Sequence, residues 1–132
     1  MNNLQKRKGI PSLKGYYNAK SGIKYRYDSM TELATMMILD RKNKSWIKNT
    51  KLRIPYIFEG KNRKYIPDFI VNSIIVMEIK GSNDKPELPF KCEAAKEYCK
   101  ENNMKFLLIG YDEIRKLIDW NLVKKYHNEY TN

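Results

Sequence analysis

Two ionisable residues lie at the end of an otherwise apolar segment of this chain. Glu78 and Lys80 follow the apolar run 74–77. Alternate residues of a β-strand project from the same face, so the two side chains would lie about 6.6 Å apart along it. Burying an acid and a base at one strand end is costly unless they have a role. The pattern therefore predicts either a strand-end salt bridge or part of an active site.

A second acid, Asp68, precedes this pair by ten residues. The tight reversal at 72–73 would make the two strands antiparallel neighbours, which places Asp68 level with Glu78. Two adjacent carboxylates repel each other unless a cation lies between them. Oxygen ligands favour Mg²⁺ or Mn²⁺ over zinc, and the expected ligands are Asp68, Glu78 and the backbone carbonyl of Ile79.

The chemistry predicted from this arrangement is phosphodiester hydrolysis. A cation at the two carboxylates would lower the pKa of a bound water and neutralise charge on a phosphate oxygen. The Lys80 ammonium could orient that water, help to deprotonate it or stabilise the transition state, and the sequence leaves these three roles open. No organic cofactor is expected.

The distribution of charge favours nucleic acid as the partner. The net charge is +11, from 26 Lys and Arg against 15 Asp and Glu. Residues 1–27 include seven basic side chains and no acid, and residues 41–64 include nine against Glu59 alone. Such a field fits a polyanion, although the lysine-rich composition of an AT-rich genome is an alternative explanation. The residues predicted to contact DNA are Lys6, Arg7, Lys8, Lys14, Tyr16, Tyr17, Lys20, Lys24, Arg26 and Lys91.

The pattern of apolar residues predicts one α/β domain at 28–132, preceded by a flexible basic arm at 1–27 that could order against the domain or a ligand. The segment 29–41 has apolar residues at helical spacing. The run 74–80 is apolar on both faces until its end, which is typical of a central strand. Further strands are predicted at 45–48, 52–58, 63–71 and 105–109, and further helices at 90–102 and 112–120, with the last residues frayed or adding one turn.

Several classes of protein are disfavoured. Cys92 and Cys99 would lie about 10 Å apart along one helix, too far to form a disulfide, and both are expected in the core. The one histidine, His127, has no partner at metal-site spacing and is expected on the surface, so a zinc site is not predicted. Neither a membrane span nor a secretory signal is expected, and an intracellular location, in a bacterial or phage-infected cell, is predicted.

Several short motifs, taken together, resemble a known family. Pro67-Asp68, nine residues, then Glu78-Ile79-Lys80-Gly81 resembles the signature of the PD-(D/E)xK nucleases. With Ser29-Met30-Thr31-Glu32 and Ile54-Pro55-Tyr56, in this order and spacing, the chain is similar to phage endonuclease I and to the catalytic domains of TnsA-like endonucleases. The resemblance covers roughly residues 25–109.

The resemblance implies a restriction-endonuclease-like core, with a mixed four- to five-stranded sheet flanked by helices in the order αβββαβ. It also implies a homodimeric DNA endonuclease dependent on Mg²⁺ or Mn²⁺, with Glu32, Asp68, Glu78 and Lys80 as catalytic residues. Glu32 would be a third acid at the metal. Alternatively, Glu32 would bond to the Ser29 amide in a helix capping box, unless Asp28 is the cap and leaves Glu32 free.

The biological role stays open at this stage. A phage or mobile-element nuclease of the homing type is expected, and a resolvase of Holliday or branched junctions and a transposon-end nuclease are alternatives. A non-catalytic nucleic-acid-binding protein is the alternative from another class, which the complete set of acids and lysine disfavours.

Overall fold

A computed structural model of the protein describes residues 13–81 and 85–131. Their elements form two compact units, one within 1–43 and 112–132 and the other within 44–111. In the described part of the chain, no helix is long and apolar enough to span a membrane. The elements are β1 (Gly15–Asn18), β2 (Lys24–Tyr27), α1 (Met30–Arg41), β3 (Trp46–Lys48), β4 (Ile54–Phe58), β5 (Lys61–Tyr65), β6 (Phe69–Val71), β7 (Ile75–Lys80), α2 (Leu88–Glu101), β8 (Lys105–Gly110), α3 (Tyr111–Arg115) and α4 (Trp120–Thr131).

A four-stranded mixed sheet forms the centre of the second unit. Its order is β3-β6-β7-β8, with β6 antiparallel to both β3 and β7, and β8 parallel to β7. The parallel pair needs a crossover connection, which α2 provides, and α2 packs against β8. The interior position of β7 explains why its sequence is apolar on both faces. The predicted α/β class and mixed sheet are therefore confirmed.

The prediction of one continuous strand at 63–71 is wrong, because this segment forms two strands with a break between them. β5 ends at Tyr65 and β6 begins at Phe69, and β5 pairs with β4 in a separate two-stranded ribbon. Between the pairs Lys48–Phe69 and Ile54–Tyr65, one strand has five residues and the other three. Pro67 has no N–H to donate to a continuous ladder, so the pairing stops there and leaves Asp68 at the break.

The buried side chain of Asn49 closes this break. Its Nδ2 donates to the carbonyls of Pro67 (2.9 Å) and Leu52 (3.0 Å). Its Oδ1 accepts from the N–H groups of Lys51 (3.2 Å) and Leu52 (2.9 Å), as in an Asx turn. The Asn49 N–H donates to the Asp68 carbonyl at 2.9 Å. One side chain thus fixes the backbone on both sides of the break.

The β4–β5 ribbon packs on α2 through one apolar face. Glu87, at the start of α2, accepts from the hydroxyl of Tyr56 (2.7 Å) and from Arg63 (3.1 Å), which joins the ribbon to the helix. The buried residues of the cluster between them are Ile54, Tyr56, Tyr65 and Ala95. This packing also buries the end of β5 that leads to Asp68.

In the first unit, the segment 15–27 of the predicted arm is ordered as an antiparallel hairpin, a regular structure that its sequence did not predict. β1 and β2 pack against α4 and α1 respectively. The hairpin buries Tyr17 and Tyr27, whose hydroxyls reach Asp40 Oδ2 and His127 Nδ1, each at 2.7 Å. The basic composition concealed this pattern because the exposed face holds the lysines. Residues 1–12 of the predicted arm lie outside the described residues.

The C-terminal segment contains a full helix, where fraying or a single turn was expected. α3 is shorter than predicted, and α4 follows it after a break, with Asp119 Oδ1 accepting from the Asn121 N–H at 2.9 Å. Val123 and His127, four residues apart, face the interior of this unit. The surface position expected for His127 is therefore wrong, because Tyr27 supplies a buried partner for its ring.

Candidate active site

The chain reversal after β6 brings Asp68 beside Glu78. Phe69 pairs with Met77, so the next position outward on each strand aligns Asp68 with Glu78, and the predicted level placement is confirmed. Asp68 Oδ2 accepts from the backbone N–H of Ile79 at 2.7 Å. This hydrogen bond across the two strands holds the carboxylate at the end of β7.

Both carboxyl groups are largely withdrawn from solvent, and their pKa values reflect it. Burial, followed by the negative charge of Asp68, raises the pKa of Glu78 to about 8. Burial also raises the pKa of Asp68, although the N–H of Ile79 opposes the rise. Asp68 disfavours the charged form of Glu78, whereas a hydrogen bond from Glu78 lowers the pKa of Asp68, so the pair resists full ionisation near neutral pH unless a cation joins it.

Lysine side chains surround the two carboxylates. The positive charges of Lys48 and Lys91 lower the pKa of Asp68, and Lys91 also lowers that of Glu78. The Lys91 ammonium lies 5.6 Å from the centre of the Tyr65 ring. Lys80 ends β7 two residues after Glu78 and therefore on the same face. The structure thus places Lys91, predicted from sequence as a DNA contact, next to the two acids.

Two buried polar atoms in this region lack a hydrogen-bond partner among the described residues, namely Glu78 Oε1 and the Tyr65 hydroxyl. Buried polar atoms are usually paired with protein, water or a ligand. An unpartnered carboxylate oxygen beside a second carboxylate fits a hard cation such as Mg²⁺ or Mn²⁺.

The described residues contain no cluster of three or more His, Cys, Asp or Glu that could hold a metal. Mg²⁺ nonetheless suits a pair of carboxylates, because it often binds one or two and completes its octahedron with waters and substrate phosphates. Cys92 and Cys99 are free thiols, partly and fully buried, as expected of core residues.

Glu32 takes part in capping α1. The Ser29 side chain accepts from the Glu32 N–H at 3.0 Å, and Glu32 Oε1 accepts from the Asp28 N–H at 2.7 Å. Ser29 is thus the N-cap, and the alternative with Asp28 as the cap is wrong. Glu32 belongs to the first unit, and its role as a third acid stays a prediction.

Most of the residues predicted to contact DNA, where described, lie on the surface. Lys24 lies over the Tyr16 ring at 5.0 Å, and Arg26 pairs with Asp28 at 3.1 Å. Tyr17 differs, because its ring is only 8% exposed and could not stack on a base without this unit opening. The exposed predicted residues are Lys14, Tyr16, Lys20, Lys24 and Arg26, whereas Lys6, Arg7 and Lys8 lie outside the described part.

Sequence reasoning missed two residues of this site, Asn49 and Tyr65. Asn49 follows a strand and precedes Thr50, a context typical of an Asx turn, which was the available signal. Tyr65 lies three residues before Asp68, in the segment where the Pro67-Asp68 motif drew attention to the acid alone. The proximity of its hydroxyl to Glu78 depends on the packing of β5 and gave no local signal.

The mixed sheet, the α2 crossover and the acids at adjacent strand ends define the class as an α/β protein with a restriction-endonuclease-like core. Residues 40–110 match the family described as TnsA-like endonuclease N terminal. The chain belongs to this family of restriction-endonuclease-like nucleases. Comparison with curated proteins gives no match, and comparison with solved structures gives none either.

Proposed function

We propose that the chain is a DNA endonuclease that hydrolyses phosphodiester bonds with Mg²⁺ or Mn²⁺ bound at Asp68 and Glu78. The observation that supports this most strongly is Glu78 Oε1, which is buried beside another carboxylate without a hydrogen-bond partner in the described part of the chain. A stable protein gains nothing from such an arrangement, whereas a cation site requires it.

Each residue has a distinct proposed role. Asp68, fixed by the Ile79 N–H, and Glu78 hold the cation, with the Ile79 carbonyl as a further ligand. When bound, the cation supplies Lewis acidity to water and to a phosphate oxygen. Lys80, on the face of Glu78, orients the attacking water or stabilises the charge that develops on the phosphate.

DNA binding is proposed for the exposed basic face of the first hairpin and for Lys91. Lys14, immediately before this hairpin, and Lys24 within it suit a test by alanine substitution. Each lost phosphate contact should reduce the slope of log K against log salt by about 0.9. Exposed Lys124 and Lys125 on α4 provide a matched pair of control substitutions. An equal change of slope in both double variants would remove the hairpin from the interface.

Plasmid cleavage tests the proposed activity. Supercoiled DNA is incubated with the protein in Mg²⁺, in Mn²⁺ and in EDTA, and nicked and linear products are quantified. We expect cleavage only with a divalent cation, and its loss in Glu78→Ala and Lys80→Ala. The exposed helix residues Glu97 and Lys100 give matched controls, Glu97→Ala and Lys100→Ala, which should cleave as the wild type does.

The outcomes also separate the two functional classes. Binding of DNA without cleavage under all three conditions would favour a non-catalytic nucleic-acid-binding protein. Cleavage that survives Glu78→Ala would exclude the carboxylate pair as the active site.

The match to TnsA-like endonucleases favours a mobile-element nuclease, including one that cuts transposon ends, over a junction resolvase. Comparing cleavage of linear duplex, single-stranded, four-way-junction and phage genomic DNA would show the preferred substrate.

A homodimer is proposed for double-strand cleavage, because one site cuts one strand at a time. Sedimentation of the protein alone and with DNA would show whether two copies assemble.

A further inference from the structure

The Tyr65 hydroxyl is a buried donor without an acceptor. The residue is 3% exposed, and its oxygen has no hydrogen-bond partner among the described residues. Elsewhere in the described part, the buried hydroxyls of Tyr17 and Tyr27 are each paired at 2.7 Å. An unpaired buried hydroxyl destabilises the folded state, so the unpaired hydroxyl of Tyr65 needs a functional explanation.

This hydroxyl lies near the other unpartnered atom, Glu78 Oε1. After burial, the negative charge of Glu78 is the largest cause that raises the pKa of Tyr65. The two side chains are close enough for a hydrogen bond between them to contribute to that rise, although neither atom meets full hydrogen-bond geometry with any described partner. A small movement of either side chain would therefore let the hydroxyl donate to the Glu78 carboxylate.

The surrounding packing prevents the hydroxyl from turning away. Tyr65 pairs with Ile54 across the ribbon and belongs to the buried cluster with Tyr56 and Ala95. The Lys91 ammonium lies over its ring at 5.6 Å. The strand pairing fixes the backbone of Tyr65, and the cluster and Lys91 hold its ring, so the position of the hydroxyl is set without a bond to the hydroxyl itself.

We propose that Tyr65 is a positioning residue, whose hydroxyl donates to the Glu78 carboxylate when the divalent cation binds and thereby fixes the orientation in which Glu78 holds that cation. This inference rests on the proposed cation site. It gives a role to the two unpartnered atoms together, and it assigns a role to a residue outside the set Glu32, Asp68, Glu78 and Lys80.

The substitution Tyr65→Phe tests the proposal, because it removes the hydroxyl and keeps the ring, its packing and its contact with Lys91. Groups that orient metal ligands typically contribute 10- to 100-fold to affinity or activity. We expect the affinity for Mn²⁺, measured by calorimetry without DNA, to fall about tenfold. kcat should fall by a similar factor, with KM for DNA unchanged and no loss of thermal stability.

Tyr56→Phe is the matched control on the paired strand. Its hydroxyl bonds to Glu87, so its loss should lower the melting temperature and leave Mn²⁺ affinity unchanged. Wild-type Mn²⁺ affinity in Tyr65→Phe would overturn the proposal. Equal weakening of Mn²⁺ binding in both variants would also overturn it, because the effect would then come from general loosening of the ribbon.

Failure of this inference and of the proposed function can be told apart. A wild type that binds Mn²⁺ but cleaves no DNA refutes the proposed activity, while the two Mn²⁺ affinities still decide the role of Tyr65. A wild type that cleaves, with Tyr65→Phe indistinguishable in both affinity and kcat, refutes only the role of Tyr65. Absence of Mn²⁺ binding in the wild type overturns both.

Discussion

Each unit of the protein buries a tyrosine near a carboxylate, and the two pairs differ in one respect. In the first unit, the Tyr17 hydroxyl donates to Asp40 Oδ2 at 2.7 Å. In the second unit, the Tyr65 hydroxyl and Glu78 Oε1 both remain without a hydrogen-bond partner among the described residues. The same two chemical groups are satisfied in one place and unsatisfied in the other.

This difference indicates that the Tyr17–Asp40 pair serves stability, whereas Tyr65 and Glu78 serve function. A completed hydrogen bond between buried groups stabilises the folded state, whereas unpaired buried groups destabilise it and persist where a ligand uses them. The match to TnsA-like endonucleases at 40–110 covers almost all of the second unit, 44–111. We therefore expect substitutions in the Tyr17 pair to change stability and substitutions at the acids of the second unit to change activity.

The largest effect should distinguish Asp68 from Asp40. Asp68→Asn removes a proposed cation ligand, and we expect the cleavage rate to fall at least about 10²- to 10³-fold, as for other groups that stabilise transition-state charge. Asp40→Asn weakens the bonds to Tyr17 and to the Lys20 N–H, and should lower the free energy of unfolding by about 1 kcal/mol. Single-turnover cleavage and urea unfolding measure the two effects. Comparable losses of rate in both variants, at equal folded fraction, would abolish the distinction.

The next largest effect concerns Asn49. Asn49→Ala leaves the carbonyls of Pro67 and Leu52 without their donors, and should lower the free energy of unfolding by about 3 kcal/mol. Cleavage should also slow, because the Asp68 backbone loses its support. Asn62→Ala, at an exposed position of the ribbon, should stay within about 0.5 kcal/mol of the wild type. An equally small change of unfolding free energy in Asn49→Ala would show that the break between β5 and β6 needs no support from this side chain.

A stabilising effect is expected from Glu78→Gln in EDTA. The pKa of Glu78 is raised from 4.5 to about 8 in the folded state. As pH rises, the unfolded chain therefore loses this proton at a lower pH than the folded protein does. Wild-type stability should therefore fall between about pH 4.5 and 8, whereas a glutamine at this position cannot contribute to that fall. Because a buried unpaired charge costs several kcal/mol even after the surroundings relax, we expect the variant to gain about 2 kcal/mol at pH 9.

The control for this pH effect is an exposed acid. Unfolding of the wild type, Glu78→Gln and Glu97→Gln is measured in urea at pH 4 and pH 9. At pH 4 the three proteins should have nearly equal stability, and at pH 9 only Glu78→Gln should exceed the wild type. A variant that is less stable at pH 9 would show that ionised Glu78 is well compensated in the absence of metal.

The smallest effect compares the two tyrosines. Tyr17→Phe removes a completed hydrogen bond and should cost about 1 kcal/mol of unfolding free energy, whereas Tyr65→Phe should cost none. Denaturant unfolding at pH 7 in EDTA measures both. A greater loss in Tyr65→Phe than in Tyr17→Phe would mean that the hydroxyl of Tyr65 has a partner in solution.

The sequence predicted the elements whose pattern is local. The helical spacing of residues 29–41 predicted α1, and the apolar run of β7 with the short reversal at Asn72 was sufficient to align Asp68 with Glu78. The break at Pro67 was less visible, because the residues around it favour a strand and only the unequal lengths of the two paired segments reveal it.

Other features depended on contacts distant in sequence. The hairpin at 15–27 is basic, and the hydroxyls of its buried tyrosines bond to Asp40 and His127, 23 and 100 residues away. The unpartnered hydroxyl of Tyr65 is likewise defined by its neighbours in space. Sequence reasoning could identify the acids by type and spacing, but could not show which buried groups lack partners.

The most direct test of the cation site is an anomalous difference map from crystals of the protein grown with MnCl₂. We expect a peak bound by the carboxylate oxygens of Asp68 and Glu78, at about 2.0–2.2 Å, and the loss of that peak in Glu78→Gln. A map without density between these two side chains at saturating Mn²⁺, or with manganese bound only elsewhere, would contradict it.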